Sequence, residues 1–174
     1  MQIWTERLVL RRPYADDLDA MFEIMSAPSA MRYWSTLPHP SLDVTKLWLD
    51  RIMARNSSGG EDFAIVLEDR VVGTVGAGKL PDFGFIIHPN CWGQGIATEA
   101  CRAFIDYAFT TIAASELRAD VDPRNAASLK VLAKLGFRET GRASNTFMLG
   151  DEWCDSVYLA LHRAPPLGPI EAKL

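Results

Sequence analysis

Cysteine is scarce in this chain. Among 174 residues there are three, Cys91, Cys101 and Cys154. An odd count without metal-ligand spacing excludes a complete disulfide framework and gives no sign of a metal centre. Reduced thiols in a cytoplasmic protein are expected, with no metal. Long apolar runs are also missing. None approaches the ~20 residues that a bilayer-spanning helix needs, so no membrane partner is expected. The opening, MQIWTERLVLRR, carries too much charge and too little apolar length for a secretory signal. Runs of like charge are absent as well, and the formal net charge is −4. A basic face, the usual electrostatic footprint of a nucleic-acid binder, is therefore lacking, and no nucleic acid is expected as the main ligand. No internal repeat or low-complexity tract stands out.

What is present fits an ordinary soluble domain: 48% hydrophobic and 23% charged residues. A globule of this length buries roughly 70% of its unfolded surface and needs no staple of metal or disulfides. The only linker-like piece is Ala164-Pro165-Pro166-Leu167-Gly168-Pro169, where proline stops regular structure. The expected organisation is one domain over residues 1–163 and a Pro-rich tail over 164–174.

Before that tail the hydrophobic periods alternate. Arg7 to Arg11 reads as a strand, while Leu18, Met21, Phe22 and Met25 form one helix face. Val44 to Met53 is a second helix. Phe63 to Leu67 and Val71 to Val75, joined by Glu68-Asp69-Arg70, form a hairpin pattern. Phe83 to Ile87 is a short apolar strand, and a third helix shows Ala97, Ala100, Cys101, Phe104, Ile105 and Ala108 on one face. Leu117 to Val121 is a strand. Asn125 is the expected N-cap of a fourth helix that ends at Gly136. Phe137 to Thr140 and Val157 to Leu161 close the series as strands. The order predicts a mixed α/β fold.

The stretch Cys91-Trp92-Gly93-Gln94-Gly95-Ile96-Ala97-Thr98 places two glycines at the mouth of the third helix. The first N–H groups of a helix lack intrahelical partners, and the helix dipole is positive there. A strand, a glycine loop and a helix together make an anion site suited to phosphate. A tight structural turn is the plainer alternative. A nucleotide-triphosphate loop is excluded, because Ile96-Ala97 follow the last glycine where Lys and Ser or Thr are needed. A dinucleotide fingerprint stays open through Asp120-Val121-Asp122, though the antiparallel-looking strands before the motif fit it poorly.

Three motifs together resemble the GNAT acetyltransferase family, and within it the branch similar to ribosomal-protein N-terminal acetyltransferases (RimJ/RimL-like). They are the opening Thr5 to Arg11, the run from Pro89 through Trp92-Gly93-Gln94-Gly95 to Ala100, and the pair Pro123-Arg124-Asn125-Ala126-Ala127-Ser128 and Lys134-Leu135-Gly136-Phe137. The resemblance spans Thr5 to Arg163. It implies a mostly antiparallel central sheet of about seven strands, splayed between strands 4 and 5 and flanked by about four helices. It also implies acetyl-CoA as co-substrate and an amine acceptor, either a protein N-terminus or a small molecule. A homodimer is left open, as is a coenzyme-binding module with reduced catalytic power.

By the same resemblance, Trp92, Gly93, Gln94, Gly95, Ile96, Ala97 and Thr98 hold the pyrophosphate. Phe85, Ile86, Ile87 and His88 line the pantetheine arm through their backbone, and Asn125 contacts it from the facing helix. The oxyanion donor is expected to be an N–H on the Ile86–His88 segment. Many relatives carry a tyrosine acid seven residues after the asparagine, where this chain has Leu132. Ser128 is the substitute for contacting sulfur, or a serine bonded to its own helix backbone. Asp82, where the branch often has Glu, is the candidate base, acting through water, or a simple turn residue. Tyr33 and Trp34, within Met31-Arg32-Tyr33-Trp34, and His39 are expected on the substrate side. Lys130 and Arg102 are either contacts for the 3′-phosphate or solvated charges.

Overall fold

The computed structural model describes residues 1–163, so the expected tail over 164–174 lies outside the described residues. Within them, one eight-stranded sheet forms the centre: β1 (Gln2–Trp4), β2 (Leu8–Arg11), β3 (Glu61–Leu67), β4 (Arg70–Lys79), β5 (Asp82–Ile87), β6 (Glu116–Val121), β7 (Arg138–Leu149) and β8 (Glu152–His162). The helices are α1 (Leu18–Met25), α2 (Pro28–Met31), α3 (Leu42–Asn56), α4 (Ile96–Thr110) and α5 (Ala126–Lys134).

The strand order is β1-β2-β3-β4-β5-β6-β8-β7. Every neighbouring pair is antiparallel except β5–β6. That pair is parallel and joined only at its start, through Asp82 opposite Arg118 and the Arg118 N–H bonded to the Pro81 carbonyl at 2.7 Å. Beyond this point the two strands part, which is the expected splay between the fourth and fifth predicted strands.

The helices divide between the two faces. Met21 of α1 packs with Ala64 and Val71, and Ile24, Met25 and Met31 pack with Ile86, all on one face. On the other face α4 buries Ile96, Ala100, Phe104 and Ala108 against Phe63, Val75 and Phe83. An aromatic stack fixes α4 to β5: Phe83 lies face to face with both Phe104 and Phe137, each at 5.6 Å between centroids. The apolar periods of these segments thus become the two faces of one sheet.

Two differences from expectation have physical causes. Among the described residues there are eight strands and five helices, because Gln2–Trp4 forms an added edge and Pro28–Met31 a single helical turn, both too short to show a period. The last hairpin is also much longer than Phe137 to Thr140 and Val157 to Leu161 suggest. Residues 138–149 of β7 are mostly polar and exposed, as an edge strand permits, so no apolar alternation marks them.

Candidate active site

The glycine loop begins where β5 ends. His88 and one tight turn over Pro89–Cys91 lead to Trp92, and α4 starts at Ile96. Gly93 and Gly95 sit at φ 73° and 79°, the left-handed region where a side chain is strained. Nothing lies within 4 Å of where a Cβ on Gly93 would stand, and at Gly95 the nearest atom is Arg7 Nη2 at 3.5 Å. The glycines therefore serve the backbone turn while leaving an open approach. The first intrahelical bond runs from the Glu99 N–H to the Gly95 carbonyl at 3.0 Å, so the N–H groups of Ile96, Ala97 and Thr98 have no partner inside the helix. Ile96 buries its side chain in the core and offers only its N–H.

Glu99, a residue of the quoted motif with no role assigned from sequence, holds this loop in place. Its carboxylate accepts from Thr5 Oγ1 at 2.6 Å, the Arg7 N–H at 3.0 Å and Arg7 Nε at 2.7 Å. Arg7 also donates from Nη1 to the Gln94 carbonyl at 3.0 Å. The opening motif and the glycine motif are thus bonded to one another. Partial burial works against the charge on Glu99, but the bonds from Thr5 and Arg7 outweigh it and hold the carboxyl below its ordinary range.

Other loop side chains are spent internally. Trp92 Nε1 donates to the Ile87 carbonyl at 2.8 Å, Gln94 Nε2 donates to the Asn90 carbonyl at 2.8 Å, and the Asn90 N–H donates to His88 Nδ1 at 3.1 Å. His88 and Gln94 do not line the cleft that opens here, and their side chains bond within the turn.

That cleft, of about 620 Å³, passes through the gap between β5 and β6. Phe85, Ile86, Ile87, Trp92 and Gly93 lie on one wall, and Asn125, Ser128 and Lys130 on the other. Strand alternation decides which backbone groups face it. The His88 N–H donates to the Val72 carbonyl at 2.8 Å, and Ile86 shares that orientation two residues earlier. The N–H groups of Phe85 and Ile87 therefore point away from β4, into the gap. Of the segment expected to hold the oxyanion donor, Ile87 has its N–H in the gap, while those of Ile86 and His88 are turned to β4.

Across the gap Asn125 caps α5, its Oδ1 accepting from the Ser128 N–H at 3.1 Å. Its Nδ2 makes no bond among the described residues. The Ser128 hydroxyl likewise bonds to none of them, so the alternative of a serine tied to its own helix is not taken. Leu132, at the position of the relatives' tyrosine, faces the core and is buried. Lys130 lines the cleft. Arg102 lies in a shallow groove along α4 that meets the cleft at Gly95, Thr98 and Lys134.

At the mouth the segment after α2 brings Arg32, Tyr33 and Trp34 to the cleft. Tyr33 sits under the guanidinium of Arg124, whose carbon is 5.8 Å from the ring centre. Arg124 is itself clamped by Asp122 at 2.6 Å and by Glu152. The hydrogen bonds from Arg124 hold the Asp122 carboxyl below its ordinary range despite burial. His39 departs from expectation. It is 7% exposed, bonded through Nδ1 to Thr45 at 2.9 Å and packed edge-on against Trp48, and it does not line the cleft. Burial lowers its pKa, and its contacts with Thr45 and Trp48 join the segment after α2 to α3. Asp82 is exposed at the closed end of the gap, beside Arg118, and does not line the cleft either.

The family model for the acetyltransferase (GNAT) domain matches residues 7–138, which include the glycine loop, β5, β6 and the Asn125 cap. The chain belongs to the GNAT acetyltransferase family. It is an acetyl-CoA-dependent N-acetyltransferase. Among curated relatives it is 30% identical over 148 residues to an uncharacterized N-acetyltransferase p20 of Bacillus licheniformis, covering 80% of this chain and 83% of that one. Among solved structures a GNAT-family acetyltransferase from Bacillus anthracis superposes with a TM-score of 0.84 at 27% identity, covering 93% of this chain and 98% of that one. A spermidine N-acetyltransferase from Vibrio cholerae, solved with CoA and spermine, shares the fold with a TM-score of 0.77 at 21% identity, covering 91% and 96%. Among the described residues of this acetyltransferase, no helix is long and apolar enough to cross a membrane.

Proposed function

We propose that the acetyltransferase moves the acetyl group of acetyl-CoA to a primary amine, of a small molecule or a protein N-terminus, by direct attack within a ternary complex. One observation carries this reading: the start of α4 leaves three N–H groups without helical partners, and its residues Ala97 and Thr98 line the cleft at the gap between β5 and β6. The residues fit the coenzyme. Gly93 and Gly95 admit a diphosphate to the N–H groups of Ile96, Ala97 and Thr98. Phe85 and Ile87 offer an unpaired strand edge for the pantetheine arm, and Asn125 offers Nδ2 from the other wall.

Acetyl-CoA, when bound, supplies the activated acyl group as a thioester. The Ile87 N–H donates to the carbonyl oxygen as charge gathers there. The Ser128 hydroxyl donates to sulfur as it leaves; a thiol of pKa ~8.5 leaves moderately well, so this acid assists without being essential. Asp82 takes the proton of the attacking amine through water, since its carboxylate does not reach the cleft itself. Tyr33 and Trp34 form the acceptor wall. The fold over residues 1–163 acts as one domain, in the cytoplasm, and belongs to the RimJ/RimL-like branch by its Trp92-Gly93-Gln94-Gly95 loop. Every residue assigned lies in one chain, so the reading serves a monomer and a homodimer alike.

Equilibrium dialysis with acetyl-CoA and thiol release with a panel of amines test this. The native protein should bind the coenzyme and turn over at least one amine, while Gly95→Trp stays folded and loses binding. Undiminished binding by Gly95→Trp would reject the cradle. Binding without turnover across the panel would reject transfer in favour of a coenzyme-binding module.

A further inference from the structure

The cleft runs through the sheet, and its two mouths carry different groups. On the face covered by α4 and α5 stand the glycine loop and the cations Lys130 and Lys134. On the opposite face, where α1, α2 and α3 pack, the cleft is bordered by Ser29, Ala30, Arg32, Tyr33 and Trp34. Arg32 is the one charged side chain of this second mouth among the described residues that line the cleft. It is exposed and makes no hydrogen bond or ion pair with any of them. Asp122 lies within its electrostatic reach but is already bonded by Arg124 at Nε and Nη2, at 2.9 and 2.6 Å. The Arg32 guanidinium instead lies over the Tyr33 ring, its carbon 5.3 Å from the centre. That contact steadies the side chain and leaves its hydrogen-bond donors unspent. No aspartate or glutamate lines the cleft among the described residues, so it offers no carboxylate to pair with the ammonium groups of a polyamine.

We infer that Arg32 recognises a carboxylate on the acceptor, so that the substrate is an amine bearing a carboxylate, of the amino-acid class. This rests on the proposed transfer reaction and adds the identity of the acceptor. With the coenzyme phosphates taken by the α4 terminus on one face, an acceptor enters from the other face and meets a planar fork matched to a carboxylate. Its amine is then directed into the gap toward Ile87. The guanidinium makes no covalent change; it is a specificity-determining residue.

Steady-state thiol release tests this with the common L-amino acids, their C-terminal amides and spermidine, in the native enzyme and in Arg32→Ala and Arg32→Lys. The native enzyme should prefer an amino acid over its own amide. Arg32→Ala should shrink that preference by about 10- to 100-fold through KM of the acceptor, as loss of hydrogen bonds to a charged group predicts. Arg32→Lys should restore part of it, and KM for acetyl-CoA should stay put in both. Thermal melts of the two variants show whether they fold. Spermidine outrunning every amino acid, an acid-to-amide ratio unmoved in Arg32→Ala, or a rise in KM for acetyl-CoA alone would each overturn the assignment. Thiol release with amines that shows no carboxylate preference would sink this inference and leave the transfer reaction standing. Failure of the native protein to bind acetyl-CoA in dialysis would remove the parent reading and this one together.

Discussion

At the level of single residues, Glu99 shows how a carboxylate can matter to a phosphate site that it would repel by direct contact. It turns toward Thr5 and Arg7 and spends its charge there, so the N–H groups of Ile96, Ala97 and Thr98 keep their positive field. Glu99→Gln removes an ion pair that is partly screened by solvent. It should cost about 1 kcal/mol of stability and weaken acetyl-CoA binding severalfold in dialysis. The Glu99 carboxyl is held below its ordinary range, so its stabilising contribution is full above the unfolded-state value and fades as pH falls through the lowered one. The gap in melting temperature between the native protein and Glu99→Gln should accordingly narrow in acid; a gap that widened would contradict the sign. Ser128→Ala should lower kcat by about 10- to 100-fold while leaving coenzyme binding in place, since the hydroxyl acts on a leaving group that is only moderately poor. A kcat within error of the native value would remove Ser128 from the chemistry. The motifs containing Glu99 and Ser128 were legible in the sequence. That Glu99 and Arg7 are partners was not, because their bonding joins positions far apart in the chain.

At the level of elements, the β6–α5 corner and the glycine loop face each other across the gap, the first held by the Asn125 cap and the second by bonds of Glu99, Arg7, Trp92 and Gln94. Asn125 is legible as a cap from the turn Asp122-Pro123-Arg124 before it, and the structure places its Oδ1 on the Ser128 N–H as expected. Asn125→Ala should destabilise the protein by about 1 kcal/mol in denaturant unfolding, and Asn125→Ser should recover most of that. If the same substitution weakened acetyl-CoA binding while Asn125→Ser restored stability alone, the contact with the coenzyme through Nδ2 would be separated from the cap. His39 departs from its expected place at this scale. Its neighbours Pro38 and Pro40 mark a loop, and a loop histidine near Tyr33 and Trp34 suggests a substrate contact. Only the packing of α3 shows that the ring is turned inward onto Thr45 and Trp48. The long β7–β8 hairpin was missed for the converse reason: an edge strand with exposed polar residues has no alternation to read.

At the level of the whole molecule, the functional feature is a break in a sheet. Every strand pairs with at least one neighbour along much of its length, but β5, paired with β4 on one side, leaves β6 after one residue pair on the other and so exposes a row of backbone groups inside the protein. Alternation along β5 predicts which amides respond to the coenzyme. In native-state hydrogen exchange the His88 amide, bonded to Val72, should be protected throughout, whereas the Ile87 amide should exchange quickly until acetyl-CoA is added. Protection of Ile87 before the coenzyme is present would mean the gap is closed, and the proposed mechanism would lose its oxyanion donor. The sequence by itself determined the alternation of strands and helices, the turn glycines and the Asn125 cap, because these depend on period, backbone freedom and local hydrogen bonds among near neighbours. It also carried enough of the family's motifs to point to acetyl-CoA. Which N–H groups face the cleft, that Glu99 meets Arg7, that His39 turns inward and that Arg32 stands alone opposite the coenzyme wall were decided only by the tertiary structure. Each of these depends on how elements distant in the chain are brought together, and a side chain's partners across a sheet leave no periodic trace in the order of residues.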